Sequence, residues 1–418
     1  IEMSLNKKIY VALNLFIFAS FVFGFYVNEN SAGGGPGDYN HIANNYSLIF
    51  SNELQNIDWA KYESSRFPLH YFLTKTYLPL SFDVIKLNNF LISTLIPIIV
   101  FFSVYLKYNK FSINNHLSHF IVISFLIYLS PYFRTTAYWM LEENFGIFFL
   151  VSSSYFLFTA IDQNSKKKTL NIGLNLFLIY CAFFCSQNLF VFVIINFILL
   201  IKHFWNDKKI IILICFLNTF FLFAPFIFFY DVLSKIIFQV TSSRAEFQIN
   251  NIVDLFSIAI IYLIPVSLIC IETKKSLFFF KKNFLIIFIF YIIFLLYFWQ
   301  YESVVLGGGA LKKLLLFIFN ESEYYKFFLL TFSFLGIILS IKIIKIIDFN
   351  LIFFLVPYSI YILFLDFVFQ EYLDPLLLVY FILYTNVFKT LSEKKIIFLV
   401  SYFFIFLVGA NVYYLLTL

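Results

Sequence analysis

Apolar stretches of roughly 17–22 residues recur along the whole of this 418-residue chain, long enough as helices to cross a hydrocarbon core of ~30 Å. That pattern leaves few folds open. In lipid a backbone has to satisfy its own N–H and C=O groups, so single apolar stretches of this length fold as α-helices. Charged residues make up only 12% of the sequence, about half of the ~25% usual for a soluble domain, and mean hydropathy is +0.89. The expectation is an all-α polytopic membrane protein, with residues 1–418 forming a single transmembrane domain. A water-soluble enzyme is excluded.

Thirteen spans are expected, over about 9–27, 87–106, 117–133, 144–161, 170–187, 188–201, 210–230, 251–271, 283–299, 327–345, 350–366, 375–388 and 396–417. Lysines gather on alternate connections, among them Lys7–Lys8, Lys166–Lys168, Lys274–Lys275, Lys281–Lys282 and Lys394–Lys395. By the positive-inside rule these connections and the N-terminus are cytoplasmic and the C-terminus is outside, in a bacterial inner or plasma membrane. The run after Lys7 and Lys8 reads as an uncleaved signal anchor, since no small-x-small site closes it. The net charge of +6 is spread over loop edges, which suits topology and contact with anionic lipid, not nucleic acid. Cys181, Cys185, Cys215 and Cys270 all fall in expected spans without metal-ligand spacing and read as small apolar residues.

The chain has three arginines, Arg66, Arg134 and Arg244, and all fall in polar segments assigned to the outer face, where carboxylates also concentrate. Polar chemistry gathered at one membrane face suits a charged head group, foremost a lipid phosphate, because guanidinium can bind phosphate bidentately and stays charged. Two glycine clusters, Gly33, Gly34, Gly35 and Gly37, then Gly307, Gly308 and Gly309, lie on the same face. Glycine lets backbone bend sharply or approach a ligand. Neither cluster has the Lys-Ser/Thr ending of a P-loop.

The first outer loop, 28–86, is the longest. Ile42, Tyr46, Ile49, Phe50 and Leu54 recur at helical spacing, which predicts a helix after Asp38 lying along the membrane surface. A second helix is expected to begin near Pro68, just after Arg66. Asp38 would serve that first helix as an N-cap. His41, one turn on, either orients the Asp38 carboxylate, contacts substrate near the acceptor or a metal, or is an interfacial histidine with no special task. Two histidines and one aspartate at this spacing do not support a metal site. In the second outer loop, 132–146, Arg134 and the pair Glu142–Glu143 flank an aromatic segment, and a plain interfacial belt anchored by Tyr138 and Trp139 is the alternative reading.

An Asp-Tyr pair soon after the first span, Asp38–Tyr39, is followed by R-x-P-L-x-Y in Arg66, Pro68, Leu69 and Tyr71. Together with the many-helix topology and the long first loop, this resembles the GT-C glycosyltransferases. These polytopic enzymes take sugars from polyprenyl-phosphate carriers and include protein O-mannosyltransferases and lipid A aminoarabinose transferases. The resemblance implies that Asp38 is the general base for transfer of a sugar to a lipid, glycan or protein acceptor at the outer face. It implies that Glu142 or Glu143 stands near the acceptor or a divalent metal, and that 300–326 is a mobile outer loop. Arg66, Arg134, Arg244, Lys312 and Lys313 are the candidates for the donor phosphate, whose growing charge needs cations. The polyprenyl-phosphate sugar is then the donor substrate, and no further cofactor is called for.

Two other classes fit parts of the pattern. A polysaccharide polymerase of the O-antigen type also has many helices, outer arginines and an Asp-containing Gly-rich loop, but its main loop is expected later in the chain. A lipid-linked oligosaccharide flippase or other transporter predicts charges inside helices and internal repeats. Here the carboxylates concentrate at helix ends.

Overall fold

The computed structural model describes residues 5–53, 56–64, 66–108, 117–162, 167–230, 234, 247–270, 273–301, 307–346, 348–388 and 391–417. Among these residues the fold is all-helical, and the chain divides into two compact units, Ile1–Ser243 and Arg244–Thr417. The first unit contains α1 (Leu5–Tyr26), α2 (Gly35–Ser51), α3 (Leu69–Tyr77), α4 (Phe82–Tyr108), α5 (Leu117–Phe125), α6 (Pro131–Tyr138), α7 (Glu143–Ile161), α8 (Lys168–Cys185), α9 (Phe190–His203) and α10 (Lys208–Phe228). The second contains α11 (Asn251–Cys270), α12 (Thr273–Phe298), α13 (Gly309–Phe319), α14 (Glu323–Ile346), α15 (Leu351–Ile362), α16 (Leu376–Tyr384) and α17 (Glu393–Thr417).

Among the described residues eight helices are long and apolar enough to cross a membrane: α1, α4, α7, α8, α10, α11, α14 and α17. Large apolar side chains such as Ile212, Phe216, Phe220 and Phe223 on α10 lie exposed, as suits a helix face solvated by lipid. The chain is an integral membrane protein. A ninth span forms if α5 and α6 count as one, although they bend by 68° at their junction. The bend has a local cause, since Pro131 opens α6 and the Ser130 hydroxyl caps it, accepting from the Phe133 N–H at 3.0 Å.

Thirteen spans are not shown among the described residues. Each apolar stretch is helical, but α9 has 14 residues, α15 has 12 and α16 has nine, against the ~20 that a ~30 Å core needs. α12, Thr273–Phe298, has 26 residues, and Asn283–Phe298 is its apolar part. Hydropathy integrates over a window and does not register where a helix stops. The 3-10 turn Gln187–Leu189 before α9 and the turn before Pro375 are such stops.

In the first unit α7 packs against α8 and α4. Buried amides and hydroxyls fasten this packing: Asn175 donates to the Ser153 carbonyl at 2.9 Å and to its hydroxyl at 2.8 Å, and Asn196 donates to the same hydroxyl at 3.0 Å. Between α1 and α4 lie the two helices expected there, α2 and α3. The Ile42, Tyr46 and Ile49 face of α2 is buried against Tyr62, Tyr71, Met140 and Leu141, so its apolar stripe meets protein. In the second unit α11 packs against α14, α13 and α15.

Candidate functional site

The N-terminus of α2 is built by glycine. Gly34 takes the cap position at φ 80°, the left-handed region that other residues resist, and α2 begins at Gly35 with Pro36 next. Asp38 is therefore in the first turn, where its charge suits the helix dipole, and no side-chain cap bond is made there. The N-cap reading of Asp38 gives way to Gly34. Three hydrogen bonds pin this turn to α6 and to the segment before it: Ser31 Oγ to the Pro131 carbonyl at 2.9 Å, Ala32 N to Thr135 Oγ1 at 3.0 Å, and Gly35 N to Asn30 Oδ1 at 3.2 Å.

Arg66 is placed by the loop before α3. Tyr62, buried under α2 and α3, donates its hydroxyl to the Arg66 carbonyl at 2.9 Å, and the Arg66 N–H donates to Ser64 Oγ at 3.1 Å. The guanidinium then reaches the start of α7, where Nη1 bonds Glu142 Oε1 at 3.0 Å and Glu143 Oε1 still more closely. Both glutamates are buried, while the Arg66 side chain keeps 22% of its surface exposed. Asn89 and Asn144 hold the intervening turn: Asn89 donates to the Thr136 carbonyl at 2.7 Å, and Asn144 to Ser93 Oγ at 2.8 Å and the Phe133 carbonyl at 3.0 Å.

The structure thus brings Asp38, Arg66, Glu142 and Glu143 within electrostatic reach of one another. The Asp38 side chain is reached by solvent, yet the protein around its carboxylate raises its pKa to about 6. Desolvation is the largest cause, followed by the negative charge of Glu143; Arg66 opposes both, and Glu142 adds to the rise. A carboxyl poised there is protonated and deprotonated near neutral pH, as a general base requires. Arg66 thus offers one cation to two buried glutamate side chains. One oxygen each of Glu142 and Glu143, Oε2, is buried.

His41 is exposed, with Nδ1 2.9 Å from Glu63 Oε2, and that bond lowers the Glu63 pKa; His41 also acts weakly on Asp38, against the rise. His70, by contrast, is buried with neither ring nitrogen hydrogen-bonded, and burial depresses its pKa well below the usual range.

Arg134 does not join the cluster. It is buried, and all three of its nitrogens donate within the protein: Nε to Glu29 Oε1 at 2.9 Å, Nη2 to the Ser20 carbonyl at 2.7 Å and Glu29 Oε2 at 2.5 Å, and Nη1 to Ser20 Oγ and the Tyr128 carbonyl, both at 3.2 Å. The solvated interfacial belt is also overturned, because Arg134, Tyr138, Glu142 and Glu143 are all buried and the Tyr138 hydroxyl donates to the Phe21 carbonyl at 2.6 Å. Glu29 was not singled out from the sequence. Its signal is chemical: an arginine beside apolar spans needs a carboxylate, and Glu29 follows directly on α1.

In the second unit Lys312 is fully buried. Its Nζ lies 3.2 Å from Asp254 Oδ2, and the Tyr301 hydroxyl donates to Asp254 Oδ1 at 2.8 Å. The Lys312 stem lies where a Cβ on Gly308 would stand, so the second glycine cluster makes room for the protein's own side chain. Lys313 bonds the Tyr414 hydroxyl at 2.6 Å, and burial lowers its pKa. Arg244 lies outside the described residues, as does Glu302 in the expected mobile loop. Among the described residues no group of three or more His, Cys, Asp or Glu is placed to hold a metal ion.

Comparison with protein-family models, with curated proteins and with solved structures gave no match to this chain.

Proposed function

We propose that the chain is an integral membrane glycosyltransferase of GT-C type, moving a sugar from a polyprenyl-phosphate donor to an acceptor hydroxyl at the outer membrane face. The observation that carries this reading is the juxtaposition of Asp38, solvent-accessible with its pKa raised to about 6, with the Arg66–Glu142–Glu143 cluster. Asp38 takes the proton of the acceptor hydroxyl as that oxygen attacks the anomeric carbon and the bond from that carbon to the phosphate oxygen breaks. Glu142 or Glu143 stands near the acceptor. Of the described cations proposed for the departing phosphate, Arg66 fits best, because it lies within electrostatic reach of Asp38 and keeps 22% of its side chain exposed, whereas Arg134 and Lys312 are buried in their ion pairs. The lysine distribution supports a cytoplasmic N-terminus, with the site on the opposite face.

The test is sugar transfer by purified protein in lipid, offered polyprenyl-phosphate and polyprenyl-diphosphate sugars, with Asp38→Asn as the matched control. Turnover of the monophosphate donor that vanishes in the variant supports the reading; equal turnover by both proteins overturns Asp38 as base.

A second reading, carriage of a lipid-linked saccharide across the bilayer, is favoured by one observation. The Asp254–Lys312 pair is buried at the start of α11, a candidate span, and charges inside membrane helices often mark transport paths. Movement of the lipid carrier without turnover of any donor would select it.

A further inference from the structure

We infer that Trp139 is the positioning residue that sets Asp38 against the Arg66–Glu142–Glu143 cluster. For its catalytic consequence this inference rests on the transferase reading of the site; its geometry does not.

Trp139 follows α6, and three residues later the same backbone reaches Glu142. Between them Met140 takes φ 61°, a sharp left-handed step that sends the indole one way and the glutamates another. The ring is held from several sides. Its Nε1 donates to the Glu29 carbonyl at 3.0 Å, its backbone N–H donates to the Thr135 carbonyl at 3.0 Å, and the Lys86 ammonium lies 5.7 Å from the ring centroid. Since Glu29 is itself clamped by Arg134, the indole inherits a rigid mount.

That mount meets α2 on both sides of Asp38. Three residues before it, the Gly35 backbone comes so near that a Cβ would stand 2.7 Å from Trp139 Cδ1 and 2.8 Å from Cγ. One residue after it, the Tyr39 ring meets the indole edge to face, with centroids 6.1 Å apart and planes at 81°. The first turn of α2 is therefore seated on the indole, and Met140 and Leu141 continue the same contact under Tyr46 and Tyr71. Gly35 is what lets the helix sit this close. Catalytic groups displaced by about 1 Å lose about 10²-fold in rate, so a side chain that fixes both halves of the site governs its competence.

The test reads Asp38 without requiring turnover. Carbodiimide coupling of glycine ethyl ester to Asp38 in purified protein, measured by mass spectrometry across pH and normalised to exposed Asp58, follows protonation of the carboxyl. In the wild type the midpoint is expected near 6. In Trp139→Ala it is expected to fall toward the ordinary range near about 4 as the turn moves away from Glu143, and in Trp139→Phe to return toward the wild-type value. Gly35→Ala, whose Cβ pushes the turn off the indole, is expected to lower the midpoint in the wild-type background and to have little further effect in Trp139→Ala. This second pair keeps the test decisive if Trp139→Ala fails to fold.

A wild-type midpoint that neither Trp139→Ala nor Gly35→Ala moves overturns the positioning role and leaves Asp38 free to be the base. A midpoint that moves as expected in a protein without transferase activity upholds the positioning role and removes the transferase reading instead.

Discussion

Arg134 and Glu29, 105 residues apart, meet fork to fork, with Nε 2.9 Å from Oε1 and Nη2 2.5 Å from Oε2. The pair ties α6 to the end of α1, and Gly24 makes room for it, since a Cβ there would stand 2.8 Å from Arg134 Nη2. Breaking a buried pair leaves a charge without its partner, at a typical cost of about 3–5 kcal/mol. Arg134→Ala is accordingly expected to lower thermal stability sharply in detergent-solubilised protein followed by size-exclusion melting. Arg134→Lys should recover only part, because an ammonium cannot span Glu29, Ser20 and Tyr128 together. Full stability of Arg134→Ala would show that the pair is incidental.

At the second cluster one guanidinium serves two carboxylates. Arg66→Met should destabilise by an amount in the same range of about 3–5 kcal/mol, because Glu142 and Glu143 would stay buried without their shared cation. Adding Glu142→Gln and Glu143→Gln to that variant removes the stranded charges and should restore most of the loss. Melting of the single, double and triple variants decides the matter; a triple variant no better than Arg66→Met would locate the damage elsewhere.

Asp38 makes activity and stability respond to pH in opposite directions. As the base of the proposed transfer it must be ionised, so on that reading activity should fall as pH drops through about 6. Its folded pKa lies above the unfolded value of about 4, so between these two the folded state holds a proton that the unfolded state has lost. Asp38 therefore favours folding increasingly as pH falls from about 6 to about 4, and disfavours it above. Comparing wild type with Asp38→Asn across this window should show both trends in the wild type alone.

The buried Asp254–Lys312 pair should behave as a unit. Asp254→Asn or Lys312→Met alone strands a charge and is expected to cost about 3–5 kcal/mol, whereas Asp254→Leu with Lys312→Met should cost far less than the sum of the two single changes. A double-mutant cycle by thermal melting measures the coupling. Additive losses would mean that the two charges do not stabilise one another.

Much of the site was visible as residue types. Asp38, Arg66, Glu142 and Glu143 stand out in the sequence because polar groups are scarce in so apolar a chain. Which arginine meets which acid was not visible. Arg66 crosses 77 positions to Glu143 and Arg134 crosses 105 to Glu29, although Arg134 lies only a few residues from the glutamates. The roles of Trp139 and Gly35 were equally hidden, since they depend on an approach of a few ångströms between two turns.

By itself the sequence determined the class: an all-helical chain built for lipid, because apolar runs of this length leave the backbone no other way to satisfy its hydrogen bonds. It also placed helices after Asp38 and near Pro68, because those signals are local, while the start of the first at Gly35 came from the structure. Only the tertiary structure decided which described helices are long enough to span, which charges pair with which, and that Asp38 comes within electrostatic reach of Arg66 and the glutamates. Those outcomes depend on where chain breaks turn the helices and on distances between residues far apart in sequence, and ion pairing changes over ångströms that no pattern along the chain records.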